Sequence, residues 1–296
     1  MPVRTAAFTD AHGVRIIYDV HAAFGVRDGD RPRGVVQLLH GVGEHAGRYG
    51  ELISILTAAG FAVYADDHRG HGRTGMQQHQ GDASKLGRPG PGGLRAAKDA
   101  VWRFTELIRA ENPGVPLVLL GHSWGSLLAQ MLVNEHPRAY DALVLSGSGL
   151  RTLFTLNSGN LNKQWDRPGA NGAEWLSSDP AAQQEFLDDP LTTSESFQSL
   201  FGWADALRMS GKPRTGLADE RGGGLPILLL VGHDDALGGP RSVHLLADAY
   251  RTRSGFTDVT TLVYPNARHE IFRDVVKADV FADLVAWLDL RFPPRA

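Results

Sequence analysis

Short apolar runs alternate with longer amphipathic stretches along most of the chain. Continuous apolar runs of this kind are typical of strands that are buried on both faces of a parallel sheet. The predicted strands are residues 34–40, 61–65, 116–120, 142–145, 226–231 and 259–264. The opening segment, residues 7–20, alternates more strictly between apolar and polar positions and predicts an antiparallel hairpin at the edge of the sheet.

The stretches between these strands have the spacing of helices. In residues 94–109, apolar side chains recur at Ala97, Val101, Phe104 and Ile108, which places them on one helical face. Further helices are predicted at residues 49–59, 123–135, 241–251 and 275–290. The alternation of strands and helices predicts an α/β fold, with a mostly parallel sheet, helices on both of its faces and right-handed crossovers.

The pattern changes at residue 150. From there to residue 221 the chain has no strand-like run. Within this part, residues 194–209 are predicted to form a helix whose one face carries Phe197, Leu200, Phe201, Ala204 and Leu207. We therefore predict a helical cap at residues 150–221, inserted into an α/β core that is formed by residues 1–149 and 222–296.

Composition and charge exclude several classes of protein. The 296 residues include no cysteine, which excludes disulfides, cysteine-ligated metal sites and a thiol nucleophile. The 30 Lys and Arg residues against 33 Asp and Glu give a net charge of −3, which argues against nucleic acid as a partner. The first 14 residues hold no apolar signal region, and no apolar run approaches the ~20 residues of a membrane span. We therefore expect a cytoplasmic protein without a transmembrane segment.

The pentapeptide Gly121-His-Ser-Trp-Gly125 lies between a predicted strand and a predicted helix. In this context Gly-x-Ser-x-Gly is typical of a nucleophile elbow, a sharp turn in which small residues relieve crowding and the serine hydroxyl stands above the sheet. The alternative is a glycine-rich turn in which Ser123 only caps the helix. The context favours Ser123 as a nucleophile.

A serine nucleophile needs a base, and the base needs an acid to orient it. The stretch Gly232-His-Asp-Asp-Ala236 follows one late strand, and Pro265-Asn-Ala-Arg-His-Glu270 follows the next. Ser123, an aspartate at position 234 or 235, and His269 therefore occur in the order Ser, Asp, His, each just beyond the carboxyl end of a strand. Reactive groups gather at that edge of open α/β sheets. The alternatives are turn chemistry for the aspartate and a surface helix start for His269.

Hydrolysis through a tetrahedral intermediate also needs donors for an oxyanion. One is expected from the backbone N–H of Trp124, and the other from Val42 in the glycine-rich turn His40-Gly-Val-Gly43. The 12 histidines show no His-Glu-x-x-His spacing, so we expect no catalytic metal. The stretch Asp67-His-Arg-Gly-His-Gly72 is interpreted as a turn that braces this face of the sheet.

Together these motifs resemble the α/β-hydrolase superfamily, and within it the monoacylglycerol lipase and lysophospholipase group of serine hydrolases. The resembling stretches lie in the family's order and are His40-Gly-Val-Gly-Glu-His-Ala-Gly-Arg-Tyr49, Asp67-His-Arg-Gly-His-Gly72, Gly121-His-Ser-Trp-Gly125, Gly232-His-Asp-Asp235 and Tyr264-Pro-Asn-Ala-Arg-His-Glu270. The resemblance implies Ser123 as nucleophile, Asp235 rather than Asp234 as acid, and His269 as base. It also implies an oxyanion hole at Val42 and Trp124, and a lid over the acyl pocket at residues 150–221.

The chain departs from the group at three places. Trp124 stands where the group often has Met, Ser126 where Gly is common, and Arg273-Asp274 where an Asn-Glu pair is frequent. The first change concerns the pocket wall, because catalysis there uses only the backbone N–H. The last change concerns the support of the loop that carries His269.

The function that the resemblance implies is a cofactor-free carboxylic-ester hydrolase that forms an acyl-enzyme on Ser123. Its expected partner is a small ester, such as a monoacylglycerol or a lysophospholipid. The alternatives are an esterase for non-lipid monoesters, a cofactor-free haloperoxidase, a binding protein without catalysis and a serine peptidase. A peptidase would use acidic cap residues to hold an amine, and the available ones are Glu174, Asp179, Glu185, Asp188 and Asp189.

The cap also raises the question of peripheral contact with a membrane. Phe197, Leu200, Phe201 and Leu207 could form a lid face that touches lipid, or they could pack onto the core and line the acyl pocket.

Overall fold

The structure, a computed structural model, describes residues 3–25, 31–157 and 159–294. Its central element is an eight-stranded sheet. The strands β1 to β8 are, in chain order, Val3–Thr9, Arg15–His21, Gly34–Leu39, Phe61–Asp66, Leu117–His122, Ala142–Ser146, Ile227–Gly232 and Val259–Tyr264. All of the predicted strands are present.

The order of the strands across the sheet is β1-β2-β4-β3-β5-β6-β7-β8. The strands β3 to β8 run parallel to one another, whereas β1 and β2 form an antiparallel hairpin at the edge, as predicted. In the central pair, Leu39 of β3 lies opposite Gly121 of β5. The turns that follow these two strands therefore leave the sheet side by side.

The α-helices of the described residues cover both faces of the sheet. In chain order, α1 to α9 are Gly50–Ala58, Gly72–Gln78, Gly93–Glu111, Trp124–Glu135, Pro180–Asp188, Phe197–Met209, Leu217–Arg221, Gly239–Thr252 and Lys277–Arg291. One apolar core lies between the sheet and α3, α4 and α8, and a second lies between the sheet and α1 and α9. The strands β3 to β7 are buried along their whole length, so the prediction of a sheet covered on both faces is confirmed. The short helices α2, α5 and α7 are not predicted from the sequence pattern.

The segment between β6 and β7 contains α5, α6 and α7 and, among its described residues, no strand. Its boundaries with the core, and its status as a separate cap, stay a prediction. The prediction of one continuous apolar face along α6 is wrong. Gly202 has φ 77° and ψ 170° within this helix, a conformation that is essentially restricted to glycine.

The kink at Gly202 turns the second half of α6. Leu207, predicted on the buried face, is 59% exposed, whereas Asp205 is 6% exposed. The Asp205 carboxylate accepts a hydrogen bond of 2.8 Å from the backbone N–H of Leu94, in the first turn of α3. A negative charge at a helix N-terminus is favourable, so this contact fastens α6 to the core.

Within the described residues, every helix is too short or too polar to cross a lipid bilayer.

Candidate active site

The turn from β5 into α4 is tightly packed. Ser123 has φ 51° and ψ −123°, a strained conformation for a residue with a side chain, and its N–H donates to the carbonyl of Ser146. A Cβ atom on Gly121 would lie 2.6 Å from the carbonyl oxygen of Gly125, and a Cβ on Gly125 would lie 2.4 Å from that of Leu39. Both glycines are therefore required, and the strand–turn–helix setting agrees with the prediction.

Three of the predicted site residues meet in one series of hydrogen bonds. Nε2 of His269 lies 2.8 Å from Oγ of Ser123, and Nδ1 lies 3.0 Å from each carboxylate oxygen of Asp235. An ionised carboxylate can only accept, so Nδ1 carries the hydrogen and Nε2 is the free base. Asp234, the alternative acid, is exposed, and its carboxylate lies 2.9 Å from Nδ1 of the adjacent His233. The geometry therefore brings Asp235, not Asp234, to the histidine.

Burial and neighbouring charges shift the pKa values of the residues in this series. Burial alone would lower the pKa of His269, but the adjacent Asp235 carboxylate outweighs it, and the pKa is raised above its usual value of 6.5. Burial would raise the pKa of Asp235, but the His269 ring and the N–H of Leu237 hold it below its usual value. Burial, together with the nearby His269, lowers the pKa of His122 to about 4, so the neighbouring ring is neutral.

The glycine-rich turn at residues 40–43, here called the oxyanion turn, lies beside Ser123. A Cβ on Gly41 would lie 3.0 Å from the Cβ of Ser123. Among the described residues, no protein acceptor takes a hydrogen bond from the backbone N–H of Val42 or of Trp124. Both groups are thus free to donate to a substrate oxygen, while their role as an oxyanion hole stays a prediction.

A buried carboxylate holds the oxyanion turn in place. Oε1 of Glu44 accepts hydrogen bonds of 2.6 Å from the N–H of Gly41 and of 2.6 Å from the hydroxyl of Tyr49. Burial opposes ionisation of Glu44, but His122, which becomes charged in the acid range where Glu44 titrates, and Arg48 outweigh this effect, and the pKa of Glu44 is lowered. The carboxylate is therefore ionised and fixes Gly41.

Arg48 connects this carboxylate to the residue after His269. Its guanidinium donates to Glu44 at 3.3 Å and to Glu270 at 2.7 Å, and all three side chains are buried. Burial raises the pKa of Glu270, and the nearby Glu44 charge raises it further. Arg48 lowers the pKa, but these two effects together outweigh it. The sequence alone does not predict a role for these three residues. A signal for Glu44 and Arg48 is their place in the first resembling stretch, on the C-terminal side of its glycine turn.

A cluster of histidine rings packs against the Trp124 indole. The rings of His40 and His68 stack at 3.9 Å, and the ring of His71 stacks on the Trp124 indole at 5.2 Å. The backbone N–H of His68 donates to Nε2 of His40 at 2.9 Å. This geometry agrees with the interpretation of residues 67–72 as a bracing turn. Nowhere in the described residues are three or more His, Asp or Glu side chains grouped to hold a metal ion.

The segment that carries His269, residues 265–274, is hydrogen-bonded to the predicted cap. Asp274 accepts a hydrogen bond of 3.0 Å from the backbone N–H of Ser178, in the segment between β6 and β7, and one of 2.9 Å from the backbone N–H of Arg268. The N–H of Glu270 donates to the carbonyl of Leu176 at 2.6 Å. Asp274 belongs to the pair that departs from the resembling group, and here it supports the loop directly.

A cavity of about 500 Å³ opens over Ser123 and His269. Most of its walls are apolar side chains, and these include Val42, Leu127, Leu153, Leu156, Leu161, Trp175, Leu176, Phe186, Phe197, Trp203, Leu207 and Met209. This volume lies within the range of about 300–1,000 Å³ that is usual for small-molecule sites. None of the five acidic cap residues proposed to hold a peptide amine lines the cavity.

The predicted lid face is only partly exposed. Leu200 is buried, and Phe197 and Phe201 stack on each other at 4.4 Å against the core. Leu207 alone of the four is exposed. Other large apolar side chains are exposed in the cap, namely Leu153, Phe154, Leu187 and Trp203.

Comparison with known proteins agrees with this architecture. The sequence profile of the Hydrolase_4 family, described as serine aminopeptidase, S33, matches residues 30–275. The chain is 32% identical to a monoacylglycerol lipase of Mycolicibacterium smegmatis, over 95% of each protein. It is 27% identical to a monoglyceride lipase of Mus musculus, over 88% of this chain and 84% of that protein. A crystal structure of a carboxyl esterase from Bacillus coagulans, in complex with glycerol, has the same fold, with a TM-score of 0.83, 23% identity and 99% of each chain covered.

Proposed function

The chain belongs to the serine aminopeptidase, S33 family of α/β-hydrolases and is a serine ester hydrolase, and from that premise we propose that it is a monoacylglycerol lipase. The observation that carries the proposal is the hydrogen-bonded series Asp235–His269–Ser123 at the base of an apolar cavity. The names of the relatives point in the same direction, since two of them are lipases for monoesters of glycerol.

In the proposed mechanism, Ser123 attacks the ester carbonyl carbon while His269 takes the proton from its hydroxyl. The distance of 2.8 Å between Nε2 and Oγ suits this transfer. Asp235 keeps the ring in the tautomer that can accept the proton, and stabilises the imidazolium that forms. His269 then gives the proton to the departing alcohol, which leaves the acyl group on Ser123. Water, deprotonated by His269, then attacks the acyl carbon, and the bond from this carbon to Oγ of Ser123 breaks as His269 returns the proton to Oγ. This step releases the acid and restores the serine.

The N–H groups of Val42 and Trp124 stabilise the negative oxygen of each tetrahedral intermediate in this proposal. Neither of them is engaged with a protein acceptor in the described part of the chain, so they need not break a bond to do so. A single donor of this kind lowers the barrier by about 3–4 kcal/mol. Glu44 holds the oxyanion turn in position, and the closely packed Gly121 and Gly125 hold Ser123 in position.

The apolar walls supply the free energy for holding an acyl chain. Removal of apolar area from water contributes roughly 25 cal/mol per Å², which favours substrates with a long hydrocarbon chain over short ones. Because the cavity is limited to about 500 Å³, it suits a monoacyl ester better than a lipid with two or three chains.

Contact of the cap with a lipid surface is part of this proposal. Leu153, Trp203 and Leu207 are 66%, 73% and 59% exposed, and all three also line the cavity. A lipid surface at these residues would be continuous with the acyl-binding walls. Flotation with phosphatidylcholine vesicles tests this part of the proposal, with a Leu153→Ser, Trp203→Ser double variant as the comparison.

A panel of esters tests the substrate assignment. It combines monoacylglycerols of increasing chain length, lysophosphatidylcholine, the p-nitrophenyl esters of the same acids, a triacylglycerol and an aminoacyl p-nitroanilide. We expect the highest kcat/KM for a long-chain monoacylglycerol and no cleavage of the anilide. Faster cleavage of the anilide than of any ester would contradict the proposal and favour a peptidase.

A further inference from the structure

Arg151 differs from the other buried arginines of the described chain. Four arginines are buried, and three of them form ion pairs with carboxylates: Arg33 with Asp289, Arg48 with Glu270, and Arg69 with Asp10. Arg151 is 4% exposed and, within the described residues, has no carboxylate partner. An unpaired buried charge is costly, so its presence needs an explanation.

The guanidinium of Arg151 is held by neutral acceptors. Nε donates to Oε1 of Gln130 at 3.2 Å, and Nη1 donates to the carbonyl of Met209 at 2.5 Å. Gln130 is itself fixed, because its amide nitrogen donates to Ser148 at 3.0 Å. A guanidinium has five N–H donors, and in the described residues no protein acceptor engages Nη2. The group is therefore rigidly placed and retains donors for a ligand.

Arg151 lines the same cavity as Ser123. Gln130, which holds the guanidinium, stands seven residues after Ser123 along α4. With a rise of 1.5 Å per residue, this separation corresponds to roughly 10 Å. Leu127 lines the wall between the two positions. An extended chain attached at Ser123 can thus run past Leu127 towards the guanidinium.

None of the other charged side chains that line the cavity in the described structure pairs with Arg151, and Glu135, which lies outside the cavity, acts on its charge only at longer range. Glu44 and Glu270 line the end near Ser123 and are bridged by Arg48. Glu195 also lines the cavity, but it is exposed to solvent, where water screens its charge. Burial lowers the pKa of Arg151, in accord with a guanidinium that is shielded from water.

We propose that Arg151 binds an anionic group of the substrate, a carboxylate or a phosphate, at the part of the cavity remote from the ester under attack. A guanidinium offers two parallel donors to either group, and such charge-assisted hydrogen bonds are about twice as strong as neutral ones. The inference rests on the proposed function, because it adds a charge requirement to the substrate of that same site. The preferred substrates are then monoesters that carry a distant negative charge, either at the end of the acyl chain or on the alcohol.

Paired substrates distinguish the two sources of the anion. The first pair is the p-nitrophenyl monoester of an α,ω-dicarboxylic acid and the p-nitrophenyl ester of the alkanoic acid of the same length. The second pair is a monoacylglycerol and its glycerol phosphate counterpart, lysophosphatidic acid. The quantity measured is the ratio of kcat/KM for the anionic member over the neutral member. This ratio does not depend on the fraction of the protein that is folded.

Arg151→Gln is the test variant, and Arg208→Gln is its matched control. Arg208 lies in α6 next to Met209, pairs with Asp205 and does not line the cavity. We expect Arg151→Gln to lower the ratio at least about tenfold in one of the two pairs, the size expected when a hydrogen bond to a charged group is lost. Arg151→Lys should retain part of the ratio, and Arg208→Gln should leave it unchanged. A loss in the first pair assigns the anion to the acyl chain, and a loss in the second pair assigns it to the alcohol.

An unchanged ratio in both pairs for Arg151→Gln would overturn the inference. If this variant does not fold, the wild-type protein still provides the test, because it must cleave the anionic member of at least one pair with a higher kcat/KM than the neutral member. A wild-type ratio below one in both pairs would then overturn the inference. The proposed function fails separately, namely if the neutral esters of both pairs are not hydrolysed or if Ser123→Ala hydrolyses them at the wild-type rate.

Discussion

The backbone N–H of Thr193 donates a hydrogen bond of 2.8 Å to the carbonyl of Gly43, the last residue of the oxyanion turn. Gly43 has φ 78°, and a Cβ atom placed on it would lie 2.4 Å from the carbonyl oxygen of Thr193. The segment before α6 therefore rests directly on the oxyanion turn. The position of this segment and the geometry of the site are mechanically linked.

Gly43→Ala should disturb both the position of the segment before α6 and the geometry of the oxyanion turn. The left-handed backbone costs a residue with a Cβ about 1–2 kcal/mol, and the contact with Thr193 forces one of the two segments to move. We expect a fall in kcat/KM of about tenfold or more, measured on a p-nitrophenyl ester, together with a lower Tm. Gly50→Ala is the control, since a Cβ there meets no atom within 4 Å. Equal activities of the two variants would show that the turn tolerates displacement.

Glu44 should act as a positioning residue for the oxyanion turn. In Glu44→Gln, an amide NH₂ group would replace the carboxylate oxygen that accepts from Arg48. Two donors would then face each other, so the side chain must turn away from Arg48 and thereby from Gly41. Loss of an oxyanion donor costs about 10²–10³ in kcat, and its displacement should cost about tenfold with little change in KM. Tyr49→Phe is the control, because it removes one hydrogen bond to Glu44 and leaves Gly41 bonded. A wild-type kcat for Glu44→Gln would refute the positioning role.

The pH dependence of kcat/KM should report His269. Protonation removes its ability to act as a base, so activity must fall as the pH decreases. Because Asp235 raises the pKa of His269, the midpoint should lie above 6.5. Asp235→Asn should lower kcat about 10⁴-fold and move the midpoint of the residual activity to lower pH, since it removes the largest of the effects that raise the pKa of His269.

Asp234→Asn serves as the comparison for this experiment. The carboxylate of Asp234 is exposed and points to His233, so both the rate and the midpoint should stay near the wild-type values. A profile that is flat between pH 5 and 8 for the wild-type protein, with chemistry limiting, would rule out His269 as the base. The reversed outcome for the two aspartates would move the acid to Asp234.

Gly202 sets the kink that turns the second half of α6. No atom lies within 4 Å of a Cβ built on Gly202, so Gly202→Ala tests the backbone alone. Its conformation costs other residues about 1–3 kcal/mol, and the variant should lose stability by that amount in urea unfolding. Relief of the strain would rotate Asp205 away from Leu94, and KM for long-chain esters should rise. Gly224→Ala, which has an ordinary φ and open space around it, should change neither quantity.

The sequence was sufficient for the sheet and for the residues that follow its strands. Buried parallel strands have a strong local signature, and Ser123, Asp235 and His269 are found where such strands end. The choice between Asp234 and Asp235 was made from family resemblance, because adjacent residues in a turn differ only in the direction of their side chains. The structure resolves this direction, with 3.0 Å between Asp235 and His269.

Two features depend on contacts that local pattern does not encode. Periodicity along residues 194–209 predicts one apolar face, because the sequence pattern contains no information about the φ value that Gly202 adopts. The ion pair between Arg48 and Glu270 joins residues that are 222 positions apart, so only the folded chain brings them together. The same holds for Arg151, since only the packed interior shows that, in the described part of the chain, no carboxylate pairs with it.

The central claim is that Ser123 is the nucleophile of an ester hydrolase, and active-site labelling tests it most directly. The purified protein is incubated with a fluorophosphonate, and intact-mass and peptide mass spectrometry locate the adduct, with hydrolysis of a long-chain monoacylglycerol measured in parallel. Ser123→Ala and Ser126→Ala are compared, both with circular dichroism as a check of folding. The account predicts one adduct, on Ser123, lost together with hydrolysis in Ser123→Ala and retained in Ser126→Ala. Wild-type hydrolysis by folded Ser123→Ala, or an adduct on another residue, would contradict it.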